Sequence, residues 1–148
     1  MESVERELLL TAPTINLIYR LNCVILLTIL LAVPYNVLQA YFLIIQPHLF
    51  ASYDHYVAFF LMCGYLNIIW TVVSGFTIIS IHTEWQWPFL LNAMINGVKI
   101  IFNLFAINCF NIWFQIIAIL LSVILEFALC YRIKLLQPIS HRNYIIYT

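Results

Sequence analysis

Asn92, Asn96, Lys99 and Asn103 recur at steps of four, three and four. In an α-helix that spacing puts all four on one face. A second row follows at similar spacing: Gln115, Ser122 and Glu126, with Ile119 at the intervening step. Amides, a hydroxyl, an amine and a carboxylate on otherwise apolar helices admit two chemistries. One is hydrogen bonding between helices, worth roughly 0.6 kcal/mol per bond in a membrane. The other is a hydrated path along which ions or protons move, because ionisable groups within membrane helices mark such routes. No third chemistry is written here. HExxH, GxSxG and a phosphate-binding glycine loop are absent from the sequence, and no nucleophile sits beside a base. The expectation is therefore that the chain is not an enzyme.

If the chain folds back near Cys109, the two rows come into register. Asn103 and Gln115 are each six residues from Cys109, and Asn96 and Ser122 are each thirteen from it. The expected result is one intramembrane polar seam between the third and fourth helices, made of Asn92, Asn96, Lys99, Asn103, Gln115, Ser122 and Glu126. Ala93 with Gly97, and Ala118 with Ser122, supply small residues four apart beside it, which lets helix backbones approach. A further stripe, Gly64, Asn67, Thr71 and Gly75, lies upstream. Lys99 and Glu126 would lie about 18 Å and about 9 Å from the inner membrane edge at ~1.5 Å per residue. Helical side chains lean toward their own N-terminus, so on oppositely directed helices the two lean toward each other. Pairing of these two charges, a snorkelling Lys99 and a simply protonated Glu126 all remain open.

The elements that carry these rows follow from composition. Of 148 residues, 65% are hydrophobic and only 8% are charged, six Lys+Arg against six Asp+Glu. Soluble domains carry about a quarter charged residues, so a soluble or disordered chain is excluded. Zero net charge offers no basic face for nucleic acid. Four apolar runs, 22–45, 57–81, 87–107 and 111–131, are each about long enough to cross a bilayer. They are continuous rather than alternating, which disfavours a barrel. The expected fold is an all-α membrane protein, an antiparallel four-helix transmembrane bundle with short loops. Residues 1–21 and 132–148 would be tails.

Arg6 and Arg20 precede the first run, and Arg132, Lys134 and Arg142 follow the fourth, whereas the loops hold no Lys or Arg. The positive-inside rule then puts both termini in the cytoplasm, in a plasma membrane or endomembrane. Glu2, Glu5 and Glu7 argue against a cleaved signal or a mitochondrial presequence. Pro34 removes a backbone bond to Leu30 and predicts a kink in the first span. The four His, 48, 55, 82 and 141, occupy loops and a tail, so no haem-ligating pair, cofactor or metal is expected. Cys23 and Cys130, near the inner ends of their spans, are placed where palmitoylation occurs. Glu5, Leu9 and Leu10 fit an acidic dileucine sorting motif in the N-terminal tail.

This layout resembles small four-span families such as the tetraspan, MARVEL and lysosomal four-span proteins. The Cys-Cys-Gly motif and large second outer loop of tetraspanins are absent, and no site residue carries over. The expected role is that of a structural, trafficking or assembly partner in a membrane. The expected partners are the lipid bilayer and other membrane proteins or a second copy. The alternatives are a transport or channel subunit using the Asn/Lys/Glu seam, or a small anchoring subunit of a larger membrane complex.

Overall fold

The computed structural model of the protein describes residues 12–46, 54–83, 85–105 and 112–146, with the side chains of 12, 54–56, 112, 114 and 137–146 left aside. The described residues form four helices and no strand: α1 (Ala12–Ile45), α2 (Asp54–Ser80), α3 (Trp87–Phe105) and α4 (Ile112–Ile146). Pro13–Ile45, Val57–Ser80, Trp87–Phe105 and Gln115–Leu136 are each long and apolar enough to cross a membrane. α1 starts at Ala12 rather than near Asn22, and α4 runs on through Tyr131 to Ile146. The apolar runs thus mark the stretches that could sit in lipid, while the hydrogen-bond ladder continues into both flanks. α1 is continuous across Pro34. The Asn36 side-chain amide donates to the Ala32 carbonyl at 2.7 Å within this turn.

The end of α2 and the start of α3 have local causes. Beyond Ser80 the chain tightens into i→i+3 bonds, with Ile81, His82 and Thr83 donating to Ile78, Ile79 and Ser80 at 3.2–3.3 Å. Pro88 then occupies the first turn of α3, where its missing N–H would have had no partner within the helix. The helices form a ring: α1 packs on α2 and α4, and α3 packs on the same two. An apolar cluster built from Ile25, Ile29, Trp70, Phe89, Leu125 and Leu129 fills one part of the interior. A smaller one, Leu43, Phe60 and Cys63 with Phe59 and Phe102, fills another. Phe59 and Phe102 stack with centroids 5.4 Å apart.

The glycines of α2 differ in what they permit. A Cβ on Gly64 would lie 2.7 Å from Ile44 Cγ1 and 3.3 Å from Leu43 Cβ, so α1 and α2 approach closely there. A Cβ on Gly75 would meet nothing within 4 Å. Gly64→Ala should therefore cost about 1–3 kcal/mol through overpacking. Gly75→Ala should be neutral or gain about 0.5–1 kcal/mol from helix propensity. Unfolding of the two variants in the same bicelles checks this, and equal effects would mean that the α1–α2 contact at Gly64 is not a close one. Gly75 is exposed and Thr71 only half-buried, whereas Asn67, Trp70, Ser74 and Thr77 are buried. The stripe read as Gly64, Asn67, Thr71 and Gly75 thus faces inward only in its first half.

Candidate functional site: a buried polar spine

α3 carries the most one-sided polarity of the four helices, and its buried residues are Pro88, Phe89, Asn92, Ala93, Asn96, Lys99 and Asn103. The four polar residues of the row share a face, as their spacing requires. That face looks onto the axis of the ring, where all four helices meet, rather than onto α4 alone. The expected two-helix seam is therefore a four-helix spine.

Its members can be followed along α3. Asn92 Nδ2 donates to Thr77 Oγ1 at 2.9 Å and to Ser74 Oγ at 3.3 Å, both on α2. Thr77 in turn donates to the carbonyls of Val73 and Pro88 at 2.9 and 3.3 Å. Asn96 Nδ2 turns to α4 and donates to the Ser122 carbonyl at 2.8 Å and to Glu126 Oε2 at 2.9 Å. Ser122 Oγ donates to the Ala118 carbonyl at 2.9 Å. Lys99, 1% exposed, crosses to α1, where Nζ donates to Asn36 Oδ1 at 2.8 Å. The same ammonium lies 3.8 Å above the Trp70 ring centroid. Beyond it, Asn67 Nδ2 donates to Gln39 Oε1 at 3.1 Å and Gln39 Nε2 donates to Asn103 Oδ1 at 3.3 Å, which ties α2, α1 and α3 in sequence.

Of the two expected meetings one is found and one is corrected, and the open question of Lys99 and Glu126 is answered. Asn96 and Ser122 do meet, through the Ser122 carbonyl. Lys99 and Glu126 do not form an ion pair. Lys99 is held by a neutral amide and an aromatic face, while Glu126 accepts from Asn96 and from Cys130 Sγ at 3.5 Å. The reason is direction: Lys99 follows its face to the axis, and Glu126 sits at the outer edge of the α3–α4 contact. Asn103 and Gln115 are not hydrogen-bonded to each other either. Asn103 Oδ1 is taken by Gln39, and Gln115, 0% exposed, has no partner on either amide atom. Asn67 Oδ1, Trp70 Nε1, Asn92 Oδ1, Asn96 Oδ1 and Asn103 Nδ2 are likewise unpartnered and buried.

The α1 contribution, Asn36 and Gln39, was not read from the sequence as part of the site. A signal was there: Thr28, Ala32, Asn36 and Gln39 step by four, four and three, and all four are buried. Arg132, which the sequence places among the tail cations, is a further member. It is 3% exposed, its Nε donates to Asn22 Oδ1 at 2.7 Å, and its Nη1 donates to Gln86 Oε1 at 2.9 Å. Its guanidinium carbon lies 3.5 Å from the Phe89 ring centroid. Arg132 thereby closes one end of the spine by joining α1, α4 and the segment that leads into α3.

Cys23 and Cys130 are exposed and Cys63 is buried. Among the described residues no group of three His, Cys, Asp or Glu could hold a metal ion. Glu5, Leu9 and Leu10, the turn around Cys109 and the loop holding His48 lie outside the described residues. No family model matches the chain, and no curated protein or solved structure is detectably similar to it.

Proposed function

We propose that the chain is a multi-pass membrane protein, an antiparallel four-helix bundle, that acts as a structural or assembly partner of other membrane proteins and not as an enzyme. The observation that carries this reading is the contrast between interior and edge. The spine is closed off from solvent, with Asn92, Asn96 and Gln115 at 0% exposure, and Asn92, Asn96, Lys99, Gln39 and Asn67 each donate to another helix. That is how polar groups hold helices together in lipid. Glu126 is different, since it lines a groove on the outside of the bundle. The short connections leave the helix faces as the main surface for partners.

Asn22 and Arg132 are bonded to each other, which supports the start of α1 and the far part of α4 lying at the same end. With Arg20, Lys134 and Arg142 nearby in sequence, the positive-inside rule makes that end cytoplasmic, in a plasma membrane or endomembrane. Extraction in a mild detergent should yield the chain in a complex with a second membrane protein, read by size-exclusion light scattering and mass spectrometry. A lone 17.4 kDa chain under those conditions would sink the assembly reading. A glycosylation acceptor placed in the 46–56 loop should be modified, and one at the C-terminus should not.

A transport reading has one specific observation in its favour. The unpartnered amide atoms of Asn67, Asn103 and Gln115 lie on the spine and are the groups that a file of water would satisfy. Ion or proton flux through reconstituted vesicles, lost in Lys99→Met while the fold persists, would raise this reading above assembly.

A further inference from the structure

We propose that the groove between α3 and α4 is the docking site for a membrane-spanning helix of a different protein, one that carries a lysine or arginine at the depth of Glu126. The proposal rests on the assembly reading and names the partner's chemistry. The groove has a volume of about 390 Å³ and is lined by Leu90, Ala93, Ile133, Glu126 and Cys130, with Lys134 at one end. Within it the Glu126 carboxylate has only neutral donors, Asn96 at 2.9 Å and Cys130 at 3.5 Å. A carboxylate on a lipid-facing edge is costly and calls for a cation.

Among the described residues no cation of the chain pairs with it, and Arg20 is exposed on α1, a helix that does not line the groove. Lys99 is committed to Asn36 and Trp70 in the interior. Arg132 is committed to Asn22 and Gln86. Lys134 lies eight residues along the same helix, about 12 Å away at ~1.5 Å per residue. A second copy in the same orientation would bring another Glu126 to this depth and no cation, which argues against self-association here. The floor of the groove is small. Ala93 is buried there, and a small residue at a helix contact lets a second backbone approach. A second groove, between α1 and α2, has a similar volume but is lined by Val37, Tyr41, Ile44, Ile68 and Val72. Lipid chains suffice there, and nothing in it selects a charged partner.

The test uses the full chain, labelled with a fluorophore at its C-terminus, in phosphatidylcholine vesicles. The probes are acceptor-labelled leucine–alanine transmembrane peptides with Lys, Leu or Glu at the depth of Glu126. Energy transfer should show the Lys peptide associating on the order of tenfold more tightly than the Leu peptide. Glu126→Gln, which keeps the carboxamide oxygen for Asn96, should reduce the Lys peptide to the Leu level. Glu126→Lys should transfer the preference to the Glu peptide. Equal association of Lys and Leu peptides, a Lys preference that survives Glu126→Gln, or occupation of the groove by a second copy would each overturn the proposal. The two readings separate cleanly. A native complex that survives Glu126→Gln removes the groove assignment and leaves assembly standing. A chain that purifies alone yet selects the Lys peptide does the reverse.

Discussion

Asn36→Leu should be among the most damaging single changes to the bundle, at about 3–5 kcal/mol, because it leaves the Lys99 ammonium buried without its acceptor. Lys99→Met removes the charge instead and strands only the Asn36 carbonyl, at about 1–3 kcal/mol. The double variant exchanges both for apolar side chains and should recover much of the loss, with a coupling of roughly 0.5–3 kcal/mol. The geometry behind this is the 2.8 Å contact from Lys99 Nζ to Asn36 Oδ1, flanked by the Trp70 ring. The corresponding cycle between Lys99 and Glu126 should be additive to within about 0.5 kcal/mol, since the two groups have separate partners. Reversible unfolding in bicelles measures both cycles. Additivity in the first and strong coupling in the second would mean that Lys99 turns to α4 after all.

The second large effect belongs to Arg132. Arg132→Leu removes two charge-assisted hydrogen bonds and a ring contact, and it leaves the Asn22 and Gln86 oxygens without their donor. A cost of about 3 kcal/mol follows, given ~1.5–3 kcal/mol for hydrogen bonds to charged groups and ~0.5–2 kcal/mol for a cation over a ring. Arg132→Lys should restore less than half of it, because an ammonium cannot span two acceptors in the planar fork and stack at the same time. Unfolding free energies of the two variants decide the matter. A Leu variant within about 0.5 kcal/mol of the native chain would show Arg132 to be a tail cation, as its position in the sequence implies.

Helix number and the face of α3 were legible because apolar length and a four-three-four polar step are local properties. Asn92, Asn96, Lys99 and Asn103 share a buried face in the structure as they do on a helical wheel. The destination of that face was less legible. Counting residues back from a turn gives depth, and it placed Asn96 beside Ser122 correctly. It does not give azimuth, and azimuth decides whether Lys99 finds α4 or α1. On α1, Asn36 receives the Lys99 amine and Gln39 donates to Asn103; both residues follow Pro34, whose missing N–H is the louder local signal. Arg132 illustrates a different limit. Flanking charge near a span end reads as a lipid-facing anchor, and only the packing of Phe89, Asn22 and Gln86 around it reveals an interior group.

The wiring of Lys99 also bears on how the bundle is made. Its acceptor, Asn36, and its ring, Trp70, both precede it in the chain, so they have left the ribosome before α3 does. Three helices can therefore seat the one buried amine by themselves, before the fourth is synthesised. Position 99 should accordingly cross-link to position 36 in nascent chains stalled before α4 is released. α4 then arrives as a closing stave. Asn96 presents its amide to Glu126 from one side, and Arg132 latches onto Asn22 and Gln86, which were made earlier. A pause in translation before α4 leaves no interior charge stranded, only an open edge along α3 that waits for the final helix.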